Sequence, residues 1–385
     1  MLHLLFQSLL KHLKWWLLSF FPKHLGQAPL GLKRLCFLVL IYPLFLLLQS
    51  IHWVGFLCDE IFFRGYRKLA IKDPVFITGI PRSGTTFLHR TLAHDREQFT
   101  TVSTWEAFLA PSVTERVLLA NIRKLDTVVG NPIKRLINYC IRKCEGDFSD
   151  VHEIGLSVPE EDYLFLLPVG GCFIMSLAFP FAKELRELMM FDQLKGKARK
   201  PMLAFYQSCL RKHLYFHGAN KRLLSKNAAF SSWLKPLKQQ FPDAVFMICV
   251  REPETALSSQ ISSLHSARDL FGTDPKGTHT TDQFTGAFSY NYRSIEKFAS
   301  QPKISNCSVI IQSDLKTAPR ETIRTALKMV TITPSEKLAA KLRELEVQNS
   351  SKHQHSPLEN KAVLDCMRPA YNTLLKSPLR ALHST

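Results

Sequence analysis

A short apolar run, a polar loop and a helical segment follow one another between Pro74 and Asp95. Residues Val75–Ile80 are apolar and rich in β-branched side chains, which is typical of a buried strand. Residues Thr86–His94 space their apolar side chains as an amphipathic helix does. A strand that passes through a tight loop into a helix places the chain in the α/β class.

The loop at residues 81–86 reads Pro-Arg-Ser-Gly-Thr-Thr. Gly84 allows the backbone to turn tightly, and the first amides of the following helix point into the loop. Arg82 adds a planar guanidinium group, which suits an oxyanion. Hydroxyl donors come from Ser83, Thr85 and Thr86. The loop therefore predicts a site for a phosphate or a group of similar shape.

Two other interpretations of this loop have to be weighed. Many strand–turn–helix joints in α/β proteins bind nothing. An ordinary nucleoside triphosphatase would carry the pattern G-x-x-x-x-G-K-[ST], but Thr85 stands where that pattern requires lysine. The missing lysine argues against ATP hydrolysis.

Residues 81–88, Pro-Arg-Ser-Gly-Thr-Thr-Phe-Leu, resemble the phosphosulfate loop of sulfotransferases that use 3′-phosphoadenosine 5′-phosphosulfate (PAPS). The resemblance is to the version of the loop with arginine before Ser-Gly-Thr-Thr. It implies an α/β fold with a mainly parallel central sheet of about five strands, flanked by helices and carrying a P-loop-like phosphate site. It also implies that Arg82–Thr86 bind the 5′-phosphosulfate.

A second motif follows the buried run Ala244–Val250. Arg251 stands at the carboxyl end of this predicted strand, where ligands bind in open α/β sheets. Arg251, with Ser259 eight positions later, resembles the 3′-phosphate motif of the same family. The resemblance implies that these two side chains bind the 3′-phosphate of PAPS. Two anion sites on neighbouring strand ends suit a nucleotide phosphorylated at both positions.

The segment Arg222–Asn227 is predicted to be a short strand that ends in a cation. The family places a lysine at such a strand end, against the bridging oxygen of the sulfate donor, and Lys226 matches it. The match is incomplete, since Asn227 and Ala228 replace the family's Ser/Thr-Pro pair. The resemblance implies that Lys226 and Arg82 stabilise the charge of the moving sulfuryl group.

Three carboxylates, Glu160, Glu161 and Asp162, follow Pro159. Acidic residues are favoured at helix N-termini, so this cluster could simply begin a helix. Sulfuryl transfer also needs a base that takes the proton of the acceptor. The family's Pro-x-Glu carboxylate maps onto Glu161, which is the predicted general base; Glu160, Asp162 and His152 stay as alternatives.

Two segments in the second half of the chain have features of a binding site. Residues Phe271–Thr285 are polar and contain glycine, which suggests a flexible lid over the acceptor. Residues 350–356 resemble the family's C-terminal S-x-H loop, which implies that Lys352 or His353 contacts the cosubstrate; a solvated polar loop is the alternative. The predicted sulfotransferase domain spans residues 71–365, and residues 366–385 are expected to form a partly ordered basic tail.

Residues 1–70 are predicted to be a membrane-associated segment. Met1–Leu35 is apolar and basic, contains no acidic residue, and suggests amphipathic helices broken at Pro22 and Pro29. Leu35–Cys58 carries no formal charge and is long enough to span the roughly 30 Å of a bilayer core. It could instead be a segment kinked at Pro43 that enters one leaflet, or a buried helix. Basic residues flank it on both sides, so its orientation is undetermined.

The net charge of +18 favours an anionic cosubstrate or an anionic lipid surface. No recognition helix or zinc-finger spacing indicates nucleic acid binding. The 9 cysteines include no C-x-x-C pair, which suits a reducing compartment and a catalytic domain on the cytoplasmic face. No set of residues requires a metal ion.

The sequence therefore predicts sulfuryl transfer from PAPS to a hydroxyl or amine, with the desulfated nucleotide PAP as product. A P-loop kinase or hydrolase would need an acidic strand end for magnesium, which none of the clear strands supplies. A membrane-bound nucleotide-binding protein without turnover is the third interpretation. The membrane-facing start favours a lipid, glycolipid or glycan acceptor, since tethering concentrates such substrates.

Overall fold

Five strands form one sheet in the order β2-β3-β1-β4-β5, with β1 at its centre. The computed structural model describes residues 2–21, 26–132, 135–136, 139, 157–302, 304–345 and 361–381. The strands are β1 (Val75–Gly79), β2 (Phe99–Thr100), β3 (Arg222–Asn227), β4 (Val245–Val250) and β5 (Cys307–Ile311). Each neighbouring pair of these strands is parallel. The parallel α/β sheet expected from the sequence is confirmed.

Helices cover both faces of this sheet. The described α-helices are α1 (Leu2–Leu18), α2 (Leu32–Phe62), α3 (Thr85–Leu92), α4 (Thr104–Phe108), α5 (Val113–Val128), α6 (Met175–Ala178), α7 (Lys183–Glu187), α8 (Gly196–His217), α9 (Leu234–Gln240), α10 (Pro253–Ser263), α11 (His265–Phe271), α12 (Thr278–Ala299), α13 (Gln312–Thr317), α14 (Pro319–Met329), α15 (Glu336–Arg343) and α16 (Lys361–Leu375). The described 3₁₀-helices are Arg64–Lys68, Asp162–Val169, Leu188–Gln193 and Ala228–Trp233.

Alternate residues of the strands belong to two separate hydrophobic cores. Phe76 and Phe246 lie in the larger core, which also contains side chains of α8 and α12. Ile77 and Met247 lie in the smaller core with side chains of α3, α14 and α15. Because both faces are covered, β1, β4 and β5 are buried at every position. This explains their continuously apolar sequences.

The register aligns the carboxyl ends of three strands. Ile77 of β1 lies opposite Lys226 of β3 and Met247 of β4. Gly79 lies opposite Cys249 and has a φ of +140°; a Cβ atom there would lie 1.9 Å from the Cys249 carbonyl oxygen. A side chain at position 79 would push β1 and β4 apart, so glycine is required where the chain leaves the sheet.

The apolar helix α2 is long and apolar enough to cross a membrane by length and composition. Its residues Phe37–Ile41 are π-helical, and Pro43 follows directly. Proline lacks an amide hydrogen and crowds the carbonyl group four residues earlier, so the wider π turn relieves the clash without ending the helix. The helix therefore continues through Pro43, and a bend there into one leaflet stays a prediction.

The N-terminal helices share the larger core with the sheet. Leu5 and Trp15 of α1 are buried in it, together with Phe37, Tyr42 and Phe56 of α2. The boundary expected near residue 70 therefore separates segments that are packed together, and the division into domains stays a prediction.

Buried ionic contacts fix α2 to the rest of the protein. Asp59 accepts hydrogen bonds from Lys212 Nζ at 2.8 Å and from the backbone amides of Val113 and Thr114 at 3.0 and 2.8 Å. Asp59 and Lys212 are both fully buried. One carboxylate thus caps the N-terminus of α5 and neutralises a lysine of α8.

The C-terminal segment is packed, which corrects the expectation of a partly ordered tail for residues 368–381. Met367, Ala370 and Leu374 of α16 are buried against the larger core. Beyond the helix, Ala381 N donates to Val309 O of β5 at 2.8 Å, and Arg380 forms an ion pair with Asp314. The apolar spacing within this basic sequence turns one face of α16 inward.

The expected flexible loop over residues 271–285 is also wrong. α11 ends at Phe271 and α12 begins at Thr278, so only residues 272–277 connect them. Gly272 and Gly277 have positive φ and bound the two helices. Asp274 accepts from Thr280 N at 2.7 Å. The glycines that suggested a loop serve as helix caps.

We expect Asp59→Ala to destabilise the protein by about 3–5 kcal/mol, because it leaves Lys212 charged and buried without a partner. Chemical denaturation at neutral pH measures this change. Asp269→Ala is the matched control, because Asp269 is exposed and pairs with Lys33 at the surface. Equal stability of the two variants would contradict the role assigned to Asp59.

Candidate active site

The loop after β1 adopts a strained conformation held by buried hydrogen bonds. Arg82 has a φ of +66° and Gly84 a φ of +92°. The Ser83 hydroxyl donates to the carbonyl oxygen of Ile80 at 2.5 Å and also contacts that of Cys249 at 3.1 Å. Ser83 therefore fastens the loop to β4 through its side chain, and its hydroxyl proton is not directed at a ligand. A left-handed arginine persists only when its surroundings enforce it.

Helix α3 begins at Thr85, immediately after the left-handed Gly84. The first amides of a helix have no intrahelical acceptor, so Thr85 and Thr86 present amides at the mouth of the loop. A Cβ atom at Gly84 would lie 2.9 Å from Leu315 Cδ2. The loop thus lies between the end of β1 and the segment after β5, and it has the form of an anion-binding cradle.

The structure brings Arg82, Arg251 and Ser259 together. Arg82 Nε donates to Ser259 Oγ at 3.2 Å, and Arg251 Nη1 donates to the Arg82 carbonyl oxygen at 3.1 Å. Tyr292 donates its hydroxyl to the Arg251 carbonyl oxygen at 2.5 Å. The two predicted anion-binding motifs therefore form one surface at the adjacent ends of β1 and β4.

Positive charge is concentrated on this surface. Burial lowers the pKa of Arg82 from its usual value, and burial together with the nearby Arg82 lowers that of Arg251. Burial and Arg251 also lower the pKa of Lys316 in α13. Since arginine stays protonated at neutral pH, the two guanidinium groups repel one another. An anion held between them would relieve this repulsion.

Sequence reasoning did not select Lys316. The signal was available, because Lys316 follows β5, and the carboxyl ends of parallel strands share one edge of the sheet. The helical turn Gln312–Thr317 brings this lysine back towards Arg251.

A second group lies at the end of β3. Lys226 Nζ donates to Glu161 Oε1 at 2.6 Å, and the two side chains are 4% and 20% exposed. Glu161 is the N-cap residue of the 3₁₀-helix Asp162–Val169, yet its side chain forms no capping hydrogen bond. The acidic cluster does begin a helix, but the Glu161 carboxylate contacts Lys226 and does not cap that helix. This arrangement places a proton acceptor beside a cation near the anion-binding surface.

A buried network supports this pair and was not predicted. Asp162 accepts hydrogen bonds from Asn227 Nδ2 and the Tyr206 hydroxyl, and Asn227 Oδ1 accepts from Tyr163 N at 2.9 Å. Asn227 is the residue that departs from the family's Ser/Thr-Pro pattern. Asn227 follows Lys226 and Asp162 follows Glu161, so the Asn227–Asp162 hydrogen bond joins the two segments that carry the ion pair. Only the folded chain shows this link, since 65 residues separate the partners.

Burial raises the pKa of Asp162 to about 6, although hydrogen bonds from Asn227, Ser225 and Tyr206 favour the charged form. Asp162 is fully buried, so an acceptor cannot reach its carboxylate. Glu160 stays half-buried, and its Oε1 accepts from Glu161 N at 3.0 Å. Among these three carboxylates, Glu161 is thus the one beside a lysine and partly open to solvent. His152, Lys352 and His353 lie outside the described residues.

One group in the described part of the chain has the composition of a metal site. Glu106, His213 and His217 place one ligand atom each within 4.8 Å of one another. Arg116 Nη1 lies 3.5 Å from Glu106 Oε1 and 3.3 Å from His213 Nδ1. The buried guanidinium group supplies the positive charge there, and it disfavours a second cation. This group is better explained as a structural ion-pair network.

The sequence matches the profile of the sulfotransferase family over residues 74–136 and 180–336, more than half of the chain. The chain belongs to the sulfotransferase family. No curated protein matches the sequence. The matched region begins one residue before β1 and includes Arg82, Lys226, Arg251 and Ser259.

Solved sulfotransferase structures share this fold. The chain is similar to the sulfotransferase STF1 of Mycobacterium tuberculosis H37Rv with a TM-score of 0.65 and 19% identity, over 94% of this chain and 92% of that one. It is also similar to the sulfotransferase STF9 of Mycobacterium avium with a TM-score of 0.60 and 14% identity, over 84% and 80% of the two chains. At such identities the likeness concerns the fold alone.

The raised pKa of Asp162 predicts a pH-dependent stability. An aspartate carboxyl group in the unfolded chain has a pKa of about 3.9. In the folded chain Asp162 keeps its proton up to about pH 6. Because the folded state binds this proton more tightly, protonation of Asp162 adds to stability at low pH, and this gain is lost as the pH rises through about 6. We expect wild type to lose about 2–3 kcal/mol relative to Asp162→Asn between about pH 4 and pH 7.

Urea denaturation of both proteins across this range measures the difference and cancels groups common to both. Parallel pH profiles would contradict the assignment of a raised pKa to Asp162.

Proposed function

We propose that this sulfotransferase moves a sulfuryl group from PAPS to a hydroxyl or amine acceptor. The observation that carries the proposal is the convergence of Arg82, Ser259 and Arg251 at the adjacent ends of β1 and β4. Two anion sites in contact suit a nucleotide that carries phosphate on both its 3′ and 5′ positions.

The two sites have separate roles in this proposal. The loop Arg82–Thr86 binds the 5′-phosphosulfate through backbone amides and the Arg82 guanidinium group. Arg251 and Ser259 bind the 3′-phosphate. Lys316 adds positive charge on the same surface, since Arg251 lies close enough to lower its pKa.

The chemical step requires a base and stabilisation of charge. Glu161 takes the proton from the acceptor while the acceptor oxygen or nitrogen forms a bond to sulfur. The bond between sulfur and the bridging phosphate oxygen breaks, and PAP leaves with that electron pair. Lys226 and Arg82 stabilise the charge that develops on the donor. The Lys226–Glu161 contact at 2.6 Å places acid–base and electrostatic groups side by side.

The kinase or hydrolase alternative is weakened by Thr85, which occupies the position of the phosphate-binding lysine. A nucleotide-binding protein without turnover differs from the proposal only in its chemistry, so it is distinguished by changing Glu161.

We also propose that the acceptor is a lipid, glycolipid or membrane-bound glycan, because the apolar α2 and the catalytic fold share one core. We place the catalytic domain on the cytoplasmic face. No disulfide joins the cysteines in the described ranges, which suits a reducing compartment. The reaction as proposed involves no metal ion.

PAP should stabilise the protein against heat more than AMP or ATP does, because only PAP places phosphate on both sites. Arg251→Ala should weaken PAP binding about 10- to 100-fold, the loss expected for a charge-assisted hydrogen bond, and should change AMP binding little. Titration calorimetry with PAP and AMP measures both. Arg324→Ala, which removes an exposed arginine elsewhere, should leave both affinities unchanged. Equal losses for PAP and AMP in Arg251→Ala would contradict a 3′-phosphate site.

Glu161→Gln should reduce labelled-sulfate transfer by about 10²- to 10⁴-fold, the usual contribution of a general base, while PAP still binds. Glu160→Gln is the matched control and should retain transfer, because its carboxylate contacts its own backbone neighbour. A melting curve of each variant checks that the fold is intact. Full transfer by Glu161→Gln would exclude Glu161 as the base, and absence of transfer in wild type despite PAP binding would favour the non-catalytic alternative.

A further inference from the structure

The helices α1, α2 and α5 show a partly inverted pattern compared with helices of a soluble protein. Their buried faces include polar or charged side chains beside apolar ones, and their exposed faces carry many large apolar side chains. In α2 the buried stripe includes Gln49, His52 and Asp59. The large exposed apolar side chains of α2 are Leu32, Leu35, Val39, Leu40, Ile41, Leu44, Leu47, Ile51, Val54, Ile61 and Phe62.

The two neighbouring helices repeat this inversion. In α5, Glu115, Arg116 and Asp126 are buried. The exposed apolar side chains of α5 and the turn after it are Leu118, Ile122, Leu125, Val128 and Val129. In α1, Ser8 and His12 are buried. The exposed apolar side chains of α1 are Phe6, Leu10 and Leu17, and Phe20 and Phe21 are exposed just after the helix.

Helix α2 packs against both α1 and α5, so the three exposed stripes lie on neighbouring helices. Trp16 Nε1 of α1 donates to Leu38 O of α2 at 2.8 Å. A Cβ atom at Gly55 of α2 would lie 2.4 Å from Ser112 Oγ, immediately before α5. We call the exposed residues of these stripes the apolar face. Soluble monomers rarely expose apolar patches of more than a few hundred Å².

The exposed charged side chains that these helices contribute are basic, and we call them the basic rim; three of them, Lys14, Lys33 and Arg67, are paired with Glu184, Asp269 and Glu60. Each acidic residue of α1, α2 and α5 is buried or half-buried, namely Asp59, Glu60, Glu115 and Asp126. The exposed charged residues on these helices and on the 3₁₀-helix after α2 are Lys14, Lys33, Arg64, Arg67, Lys68, Arg123 and Lys124. A second copy of the chain would place like charges opposite one another. An anionic lipid surface would attract them.

Helix α2 is held to the catalytic domain along its whole length. Near its start, Arg34 Nη1 donates to Ala178 O at 2.8 Å. In the middle, His52 Nδ1 lies 2.5 Å from Glu115 Oε1, and near the end Asp59 pairs with Lys212. A bilayer-spanning orientation would place these polar contacts within the membrane or break them.

We propose that the apolar face is a monotopic docking surface for one leaflet of an anionic bilayer, in which α2 lies along the membrane and does not cross it. The occupant is the lipid surface itself, which buries apolar side chains and neutralises the basic rim. This inference stands whether or not the protein transfers sulfate.

Vesicle flotation with the full-length chain tests the proposal. We expect binding to phosphatidylcholine vesicles, and tighter binding when phosphatidylserine is added. Leu44→Gln/Leu47→Gln should weaken binding at least about tenfold per leucine, because each side chain loses its apolar burial. Its melting temperature without vesicles should be unchanged, since these side chains are 66% and 59% exposed. Leu270→Gln, at a position 52% exposed on α11, is the control and should bind as wild type does.

The basic rim has its own variant. Arg123→Gln/Lys124→Gln should reduce the preference for phosphatidylserine by about fivefold per residue and leave binding to pure phosphatidylcholine unchanged. Unchanged affinity for both vesicle types in Leu44→Gln/Leu47→Gln would overturn the proposal. A dimer that this variant dissociates, together with no vesicle binding by wild type, would assign the apolar face to a second copy instead.

The membrane topology of the two chain ends distinguishes docking on one leaflet from a helix α2 that spans the bilayer. In sealed membranes from cells expressing the chain with a tag at each end, a protease should reach both tags or neither. Digestion of only one tag would show that α2 spans the bilayer and would overturn the monotopic arrangement.

Discussion

The register between β3, β1 and β4 is the constraint on which the candidate site depends. Because the strands are parallel and aligned, the chain leaves the sheet at Gly79, Asn227 and Val250 along one edge. The left-handed Arg82 then directs its carbonyl oxygen to Arg251 and its guanidinium group to Ser259. These two hydrogen bonds keep the Arg82 and Arg251 guanidinium groups close despite their like charge. The sheet thus positions two cationic groups where an anion can bind.

The sequence predicted the features that depend on local chemistry. The apolar runs at β1 and β4 and the short segment that ends in a cation at β3 carry a local strand pattern, so these three strands were predicted to within one residue. The proximity of Arg82 and Arg251 also followed, because it requires only that both residues end parallel strands. Lys316 also follows a parallel strand, β5. Its position near Arg251 depends on the helical turn of α13, which the sequence did not reveal.

Tertiary contacts were beyond sequence reasoning. Nothing local indicates that Asn227 would bond Asp162, and the apolar spacing of α16 does not reveal which core receives Met367 and Leu374. The inversion of α2 was hidden for a related reason. Its apolar composition was plain, but the side on which His52 and Asp59 lie has meaning only once their partners Glu115 and Lys212 are in place.

The contacts along α2 also restrict how the molecule can move. If the apolar face rests on lipid, the anchoring at Arg34, His52 and Asp59 leaves no hinge between the membrane and the sheet. Glu161 would then stand at a constant height above the leaflet, because its 3₁₀-helix packs beneath α1 and α2 through His12 and Trp53. With Glu161 as the proposed base, the protein would favour acceptors whose reactive group projects from the bilayer by the distance between Glu161 and the leaflet.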